Sequence, residues 1–213
     1  PESLQQRDKV ARKHHFCNRA YQQKIYEYAR KYESGSFRGL YNFDIHRQGS
    51  DELLNWLEST DFFQAPASTK YHEAYSGGLE EHSVKVYHEL HRLLKAYPEL
   101  AVSDETIAIV SLLHDVCKAN CYKVEYRNRK NETTGQWEKY PAYTFNEDFC
   151  FGGHGSKSVY LIHKFMPLTD QEAVAINCHM GASANDYSVF DSFRAYPLAF
   201  LLHTADMSAT IEW

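Results

Sequence analysis

With 213 residues, 43% of them hydrophobic and 15% aromatic, the chain carries enough apolar side chain for a sizeable core and is unlike a disordered protein. Its 23 lysines and arginines against 28 aspartates and glutamates give a formal charge of -5, which argues against a high-affinity duplex binder while leaving room for a local basic groove. No apolar run nears the ~20 residues of a membrane span, and five scattered cysteines outside any CxxC or zinc-finger spacing suit a reduced, cytoplasmic setting. The start, "PESLQQRDKVARKHH", lacks a signal peptide's apolar core, and opening on Pro1 rather than Met is read as a native start that is missing or processed.

Residues 1–33 are polar and read as a helix with a weak apolar stripe, ended by "SGSFRG" at 34–39. They form part of an N-terminal helical extension, 1–49, ahead of a domain at 50–213. "SDELLNWLESTDFF" (50–63) predicts a short helix, with a cap-type start and apolar Leu53, Leu54, Trp56 and Leu57. "QAPASTKYHEAYSGG" is loop. From Leu79 to Ala96 apolar residues recur at helical spacing, and His82 lies on that inward stripe. Ser103 is an N-cap for a helix predicted over Asp104–Lys118, whose centre "IAIVSLL" is apolar all round and whose far end carries His114 and Asp115.

Residues 121–145 change character, with two alternating segments flanking "NETTG", and read as an inserted β-hairpin. "GGHG" then brackets His154 before a new helix. "TDQEAVAINCHMG" opens with a capping-box pattern, Thr169 to Glu172, and stops at Gly181 with His179 in its last turn. "YPLAFLLHTADMSATIEW" reads as a buried helix carrying Asp206. The expected fold is all-α: a helical bundle with one inserted hairpin.

An ionised carboxylate at the end of an apolar helix costs several kcal/mol unless it is paired. Asp115 therefore needs a partner, and His82, His114, His154, His179 and Asp206 each sit on an interior stripe or at a helix end. Imidazole and carboxylate together suit Fe, Mn, Zn or Co, and a cation would replace the water that Asp115 loses. His14, His15, His46, His88, His91 and His163 are read as ordinary core or surface histidines, and Cys117 and Cys121 as small buried side chains.

In order, "GGLEEHS", "LLHDVCK" and "LLHTADMSA" resemble the successive H, HD and D elements of the HD superfamily of metal-dependent phosphohydrolases, over roughly residues 50–210. "STKYHEAYSGGLEEHS" further resembles the HD domain of bacterial 3′ to 5′ exoribonucleases and of phage-type HD hydrolases. The resemblance implies a helical bundle, one or two divalent ions (Mn, Fe, Mg, Co or Zn), and His82, His114, Asp115 and Asp206 as ligands of the first. His154 and His179 match the histidines that two-metal subfamilies add, although "CHMG" stands where relatives often read HHG.

Lys118 follows Asp115 by three residues, as in the HDxxK pattern of several HD phosphodiesterases, and is read either as a catalytic group near substrate phosphate or as a solvated lysine at a helix C-terminus. Lys123 and Arg127 of the hairpin, beside Arg129, Lys130, Trp137 and Tyr140, offer cationic and aromatic side chains for substrate. Their alternative is one solvated face of an amphipathic hairpin. His72 lines the same pocket or packs beneath it.

The function expected is hydrolysis of a phosphoester of a nucleotide or similar small phosphorylated substrate. Its alternatives are 3′ to 5′ exonuclease action on single-stranded nucleic acid and a non-catalytic metal-containing module that binds a nucleotide or a protein. No GxxxxGK[ST] loop supports a GTPase or kinase reading.

Overall fold

The structure, a computed structural model, describes residues 35–146, 152–182 and 188–211. Eight α-helices and one hairpin follow in chain order: α1 Phe37–Asp44, α2 Ser50–Glu58, α3 Gly78–Leu94, α4 Asp104–Leu113, β1 Tyr122–Lys130, β2 Trp137–Phe145, α5 His154–His163, α6 Asp170–Cys178, α7 Val189–Ala195 and α8 Pro197–Ala209. The helix expected over residues 1–33 lies outside the described residues. Among the described residues no helix is long and apolar enough to cross a membrane.

Helix α4 is the centre of the bundle, for the reason its sequence suggests: every residue from Ile107 to Leu113 is buried, so the helix needs neighbours on all sides. It packs against α1, α3 and α6, while α8 lies along α3 and α6. Ser103 caps α4 by accepting a hydrogen bond from the Thr106 amide at 3.2 Å. The capping box of α6 forms in both directions: Thr169 Oγ1 accepts from the Glu172 amide, and the Glu172 carboxylate accepts from the Thr169 amide.

The bundle core begins ahead of residue 50. Phe37, Leu40, Tyr41 and Ile45 are buried in the same cluster as Leu53, Leu90 and Leu112. "SGSFRG" starts this first helix, because Ser36 Oγ accepts from the Gly39 amide at 3.3 Å and caps it. Helix α2 stops at Glu58, short of the expected 63, where the Ser59 and Thr60 hydroxyls turn back onto the Trp56 and Leu57 carbonyls. Helix α7 has no counterpart among the elements expected from the sequence.

The helix expected over Asp104–Lys118 also ends early, at Leu113. His114 Nδ1 donates to the Ser111 carbonyl at 2.7 Å, and that carbonyl is the one a continuing helix would offer to the Asp115 amide. The chain turns at Asp115 and resumes as a 3₁₀ turn, Val116–Lys118.

The hairpin is antiparallel and in continuous register from Tyr122 opposite Phe145 to Lys130 opposite Trp137. It projects from the bundle, and β1 is exposed from Lys123 onward. At the opposite side, Arg47 crosses from the α1–α2 turn to bond the buried Glu172 carboxylate through both terminal nitrogens, at 2.5 and 3.0 Å.

Gly49 fixes the entry to α2: its φ is +88°, and a Cβ there would overlap the Phe165 carbonyl oxygen. Gly49→Ala is therefore expected to lower stability by at least about 2 kcal/mol, read as a lower urea midpoint at unchanged slope. Wild-type stability in this variant would mean that the α2 entrance is not held as described.

Candidate metal centre

Five side chains from four helices and their ends meet at one point. His82 projects from the second turn of α3, His114 and Asp115 from the break after α4, His179 from the end of α6, and Asp206 from α8. His82, His114 and His179 are fully buried, and Asp115 is 2% exposed. These are the partners that a buried carboxylate at Asp115 requires.

The separations are those of ligands around a common cation. His82 Nε2 lies 3.0 Å from Asp206 Oδ1, His114 Nε2 lies 3.4 Å from Asp115 Oδ2 and 3.9 Å from Asp206 Oδ1, and His179 Nε2 lies 3.5 Å from Asp115 Oδ1. Ligand atoms held ~2.0–2.2 Å from a four-coordinate ion stand about 3.3–3.6 Å from one another, so the match requires little movement.

Two histidines have their tautomer set by the backbone. His114 Nδ1 bonds the Ser111 carbonyl and His179 Nδ1 bonds the Ile176 carbonyl, each at 2.7 Å. Both residues are helix C-caps, where last-turn carbonyls lack their regular i+4 amide partners, so the ring nitrogen completes the helix end and turns a bare Nε2 inward. His114 Nε2, His179 Nε2 and Asp115 Oδ1 are then buried without a hydrogen-bond partner among the described residues. Orphaned buried acceptors are costly, and three of them converging is the chemistry of a cation site.

His154, at the start of α5, stands beside this cluster: Nδ1 is 3.6 Å from Cys117 Sγ, and His154, Cys117 and Asp115 form a further group able to hold an ion. Burial pushes the His154 pKa down, against the pull of Asp115. Burial also pushes the Cys117 thiol up to about 12, with the Asp115 charge adding to it.

Lys118 is not a solvated lysine. It is buried, donating to the Ala67 carbonyl at 2.7 Å and pairing with Asp115 Oδ2 at 2.6 Å. Burial alone would lower its pKa, and the Asp115 charge overcomes that and raises it. On Asp115, burial raises the pKa, and the Lys118 ammonium with the two histidines outweighs it, holding the carboxyl well below its usual range. Asp206 behaves alike: burial is outweighed by the hydrogen bond from His82 and by His114 and His179, leaving it at about 2. Both carboxylates are thus drawn toward the ionised form, the one that could hold a cation.

His72 packs its ring on His82, centroids 4.9 Å apart, and lines a groove of about 1020 Å³ with Tyr71, Glu73, Lys85 and Ser208. Lys123 and Arg127 are not drawn into the cluster. Lys123 Nζ pairs with Glu125 at 3.1 Å, and Arg127 lines a separate hairpin groove with Thr69, Lys70 and Tyr140. Sequence reasoning passed over Glu73, whose side chain is only 8% exposed beside His82; a glutamate in a polar loop carries no signal of burial.

No family model, curated protein or solved structure matches the chain.

Proposed function

We propose that the protein is a divalent-metal-dependent phosphohydrolase acting on a nucleotide or similar small phosphorylated substrate. The observation that carries this reading is the convergence of buried His114 Nε2, His179 Nε2 and Asp115 Oδ1, without hydrogen-bond partners among the described residues, with His82 and Asp206. The order of His82, the His114–Asp115 pair and Asp206 along the chain, resembling HD phosphohydrolases, supports it.

His82, His114, Asp115 and Asp206 would hold the first ion, and His154 and His179 with Asp115 a second. Bound there, a divalent cation supplies a Lewis acid for a phosphoryl oxygen and a lowered pKa for water. The chain's part is positional. His114 and His179 present fixed lone pairs, and Lys118, pinned between Asp115 and the Ala67 carbonyl, orients the carboxylate and keeps it ionised. That pairing favours Lys118 as a holder of Asp115 over direct contact with phosphate. Substrate would enter along the groove at His72, where Tyr71, 84% exposed, offers an aromatic face.

One observation favours exonuclease action as a second reading: Tyr126 and Trp137 are each 72% exposed on a hairpin rich in cations, a surface suited to stacking single-stranded bases.

Mn²⁺-loaded protein offered mononucleotides, cyclic nucleotides and 5′-labelled single-stranded RNA, with Asp115→Ala as control, tests both. Phosphate from mononucleotides, or ring opening of cyclic ones, by wild type alone is the expected result. A ladder of shortened RNA would promote the exonuclease reading. Cleavage of nothing, or equal cleavage by the variant, overturns the catalytic assignment and leaves a binding module.

A further inference from the structure

His82 differs from the other two buried histidines in how its second nitrogen is served. His114 and His179 cap helix ends and bond backbone carbonyls of the last turn, whereas His82 lies in the second turn of a 17-residue helix, where the carbonyls one turn back are engaged by the helix itself. Its Nδ1 has no backbone recourse, and it is buried without a hydrogen-bond partner.

Facing it, 3.9 Å away, is a second buried atom without a hydrogen-bond partner: Oε2 of Glu73. The other carboxylate oxygen of Glu73 is held by Lys85 Nζ at 2.6 Å, which fixes the plane of the group. The backbone is equally constrained. Glu73 has φ +40°, a conformation that favours glycine, its carbonyl accepts from the Ala67 amide at 3.1 Å, and Gly78 packs so closely on that carbonyl that a Cβ would overlap it. A strained loop clamped at both ends is spent on placing one carboxylate beside one histidine.

We infer that Glu73 is the positioning residue of the metal centre, accepting the Nδ1 proton of His82 so that Nε2 is presented to a cation shared with Asp206. In the structure Nε2 faces Asp206 Oδ1 at 3.0 Å. A cation held by Nε2 and Asp206 leaves the neutral ring one proton, on Nδ1, and Glu73 Oε2 is the acceptor within reach once the ring tilts to close 3.9 Å to hydrogen-bond distance. Carboxylate–histidine–metal relays of this kind raise ligand basicity and fix ring orientation. The inference rests on the proposed metal-dependent function and assigns a role to a residue outside its ligand set.

The test is titration of Co²⁺ into wild type, Glu73→Ala and Glu73→Gln, followed by visible absorption and calorimetry. Glu73→Ala should lose roughly 10- to 100-fold in affinity, and Glu73→Gln, which keeps an acceptor but not its charge, should fall between it and wild type. A purely structural loop residue would shift the melting temperature without this ordering. In zinc-loaded protein labelled with ¹⁵N-histidine, the His82 Nδ1–H resonance should move upfield in Glu73→Gln, a readout that stands even where the alanine variant fails to fold. Wild-type affinity in both variants, or an unmoved Nδ1–H resonance, overturns the role of Glu73 and leaves the metal centre intact. Wild type that takes up neither ion overturns the metal reading and the inference together.

Discussion

Asp115→Ala is expected to abolish tight Mn²⁺ binding and, separately, to destabilise the protein by about 3–5 kcal/mol in the presence of a chelator. The two losses have different causes. Binding fails because Asp115 belongs to two of the groups able to hold an ion, with His82 and His114 on one side and with Cys117 and His154 on the other. Stability falls because Lys118 is buried and, among the described residues, keeps only the Ala67 carbonyl as hydrogen-bond partner once its counter-ion at 2.6 Å is gone. A second substitution separates them: Asp115→Ala with Lys118→Met removes the stranded ammonium, and should recover most of the stability while binding no metal. Guanidinium denaturation of the two variants in EDTA, beside Mn²⁺ titration of each, is the measurement. A double variant no more stable than the single one would show that the buried ion pair is not what holds this turn.

Glu172 carries the second large effect, far from the metal centre. Its fully buried carboxylate accepts from both terminal nitrogens of Arg47, from Thr106 Oγ1 at 2.9 Å and from the Thr169 amide at 2.9 Å, tying the α1–α2 turn to α4 and α6. Glu172→Ala is expected to cost about 3–5 kcal/mol, towards the lower end because Arg47 keeps Glu105 at 3.2 Å. Burial raises the Glu172 pKa and the Arg47 hydrogen bonds more than offset it, so the folded value lies below the ordinary one. The contribution to stability is therefore fully present above the unfolded value of about 4.3 and is lost as pH falls through the folded value. Denaturation midpoints of wild type should drop below pH 4.3 by more than those of Glu172→Gln, which has no such group to protonate. Parallel pH profiles for the two proteins would count against the network.

Local signals read well wherever one turn of chain settles the matter. The Thr169–Glu172 capping box, the Ser103 cap, the inward face of His82 and the hairpin across "NETTG" all depend on neighbours within a few residues, and each stands in the structure as its sequence implies. The same sequence missed α7 and placed a helix through Asp115, because the end of α4 is set by where the His114 ring turns, a choice among conformations of equal local merit. Helix α1 is hard to read from sequence because Phe37, Leu40 and Tyr41 form a stripe too short to announce a helix by periodicity.

What the sequence by itself determined was the set of groups that water would otherwise have to satisfy: an aspartate closing an apolar helix, histidines on inward stripes, and a second aspartate on a buried helix. For a titratable side chain on a helix stripe, burial follows the pattern of its own helix, and that pattern is written in the chain. Which of these groups meet was decided only by the tertiary structure. Lys118 could face solvent or Asp115 until Ala67, 51 residues away in sequence, closed over it, and Glu73 had no reason to be buried until its loop was clamped against Gly78 and set its carboxylate beside His82. Lys123 and Arg127 show the converse: exposed charges on a projecting hairpin have no desolvation energy to fix their partners, so composition alone could not say which groove they would line.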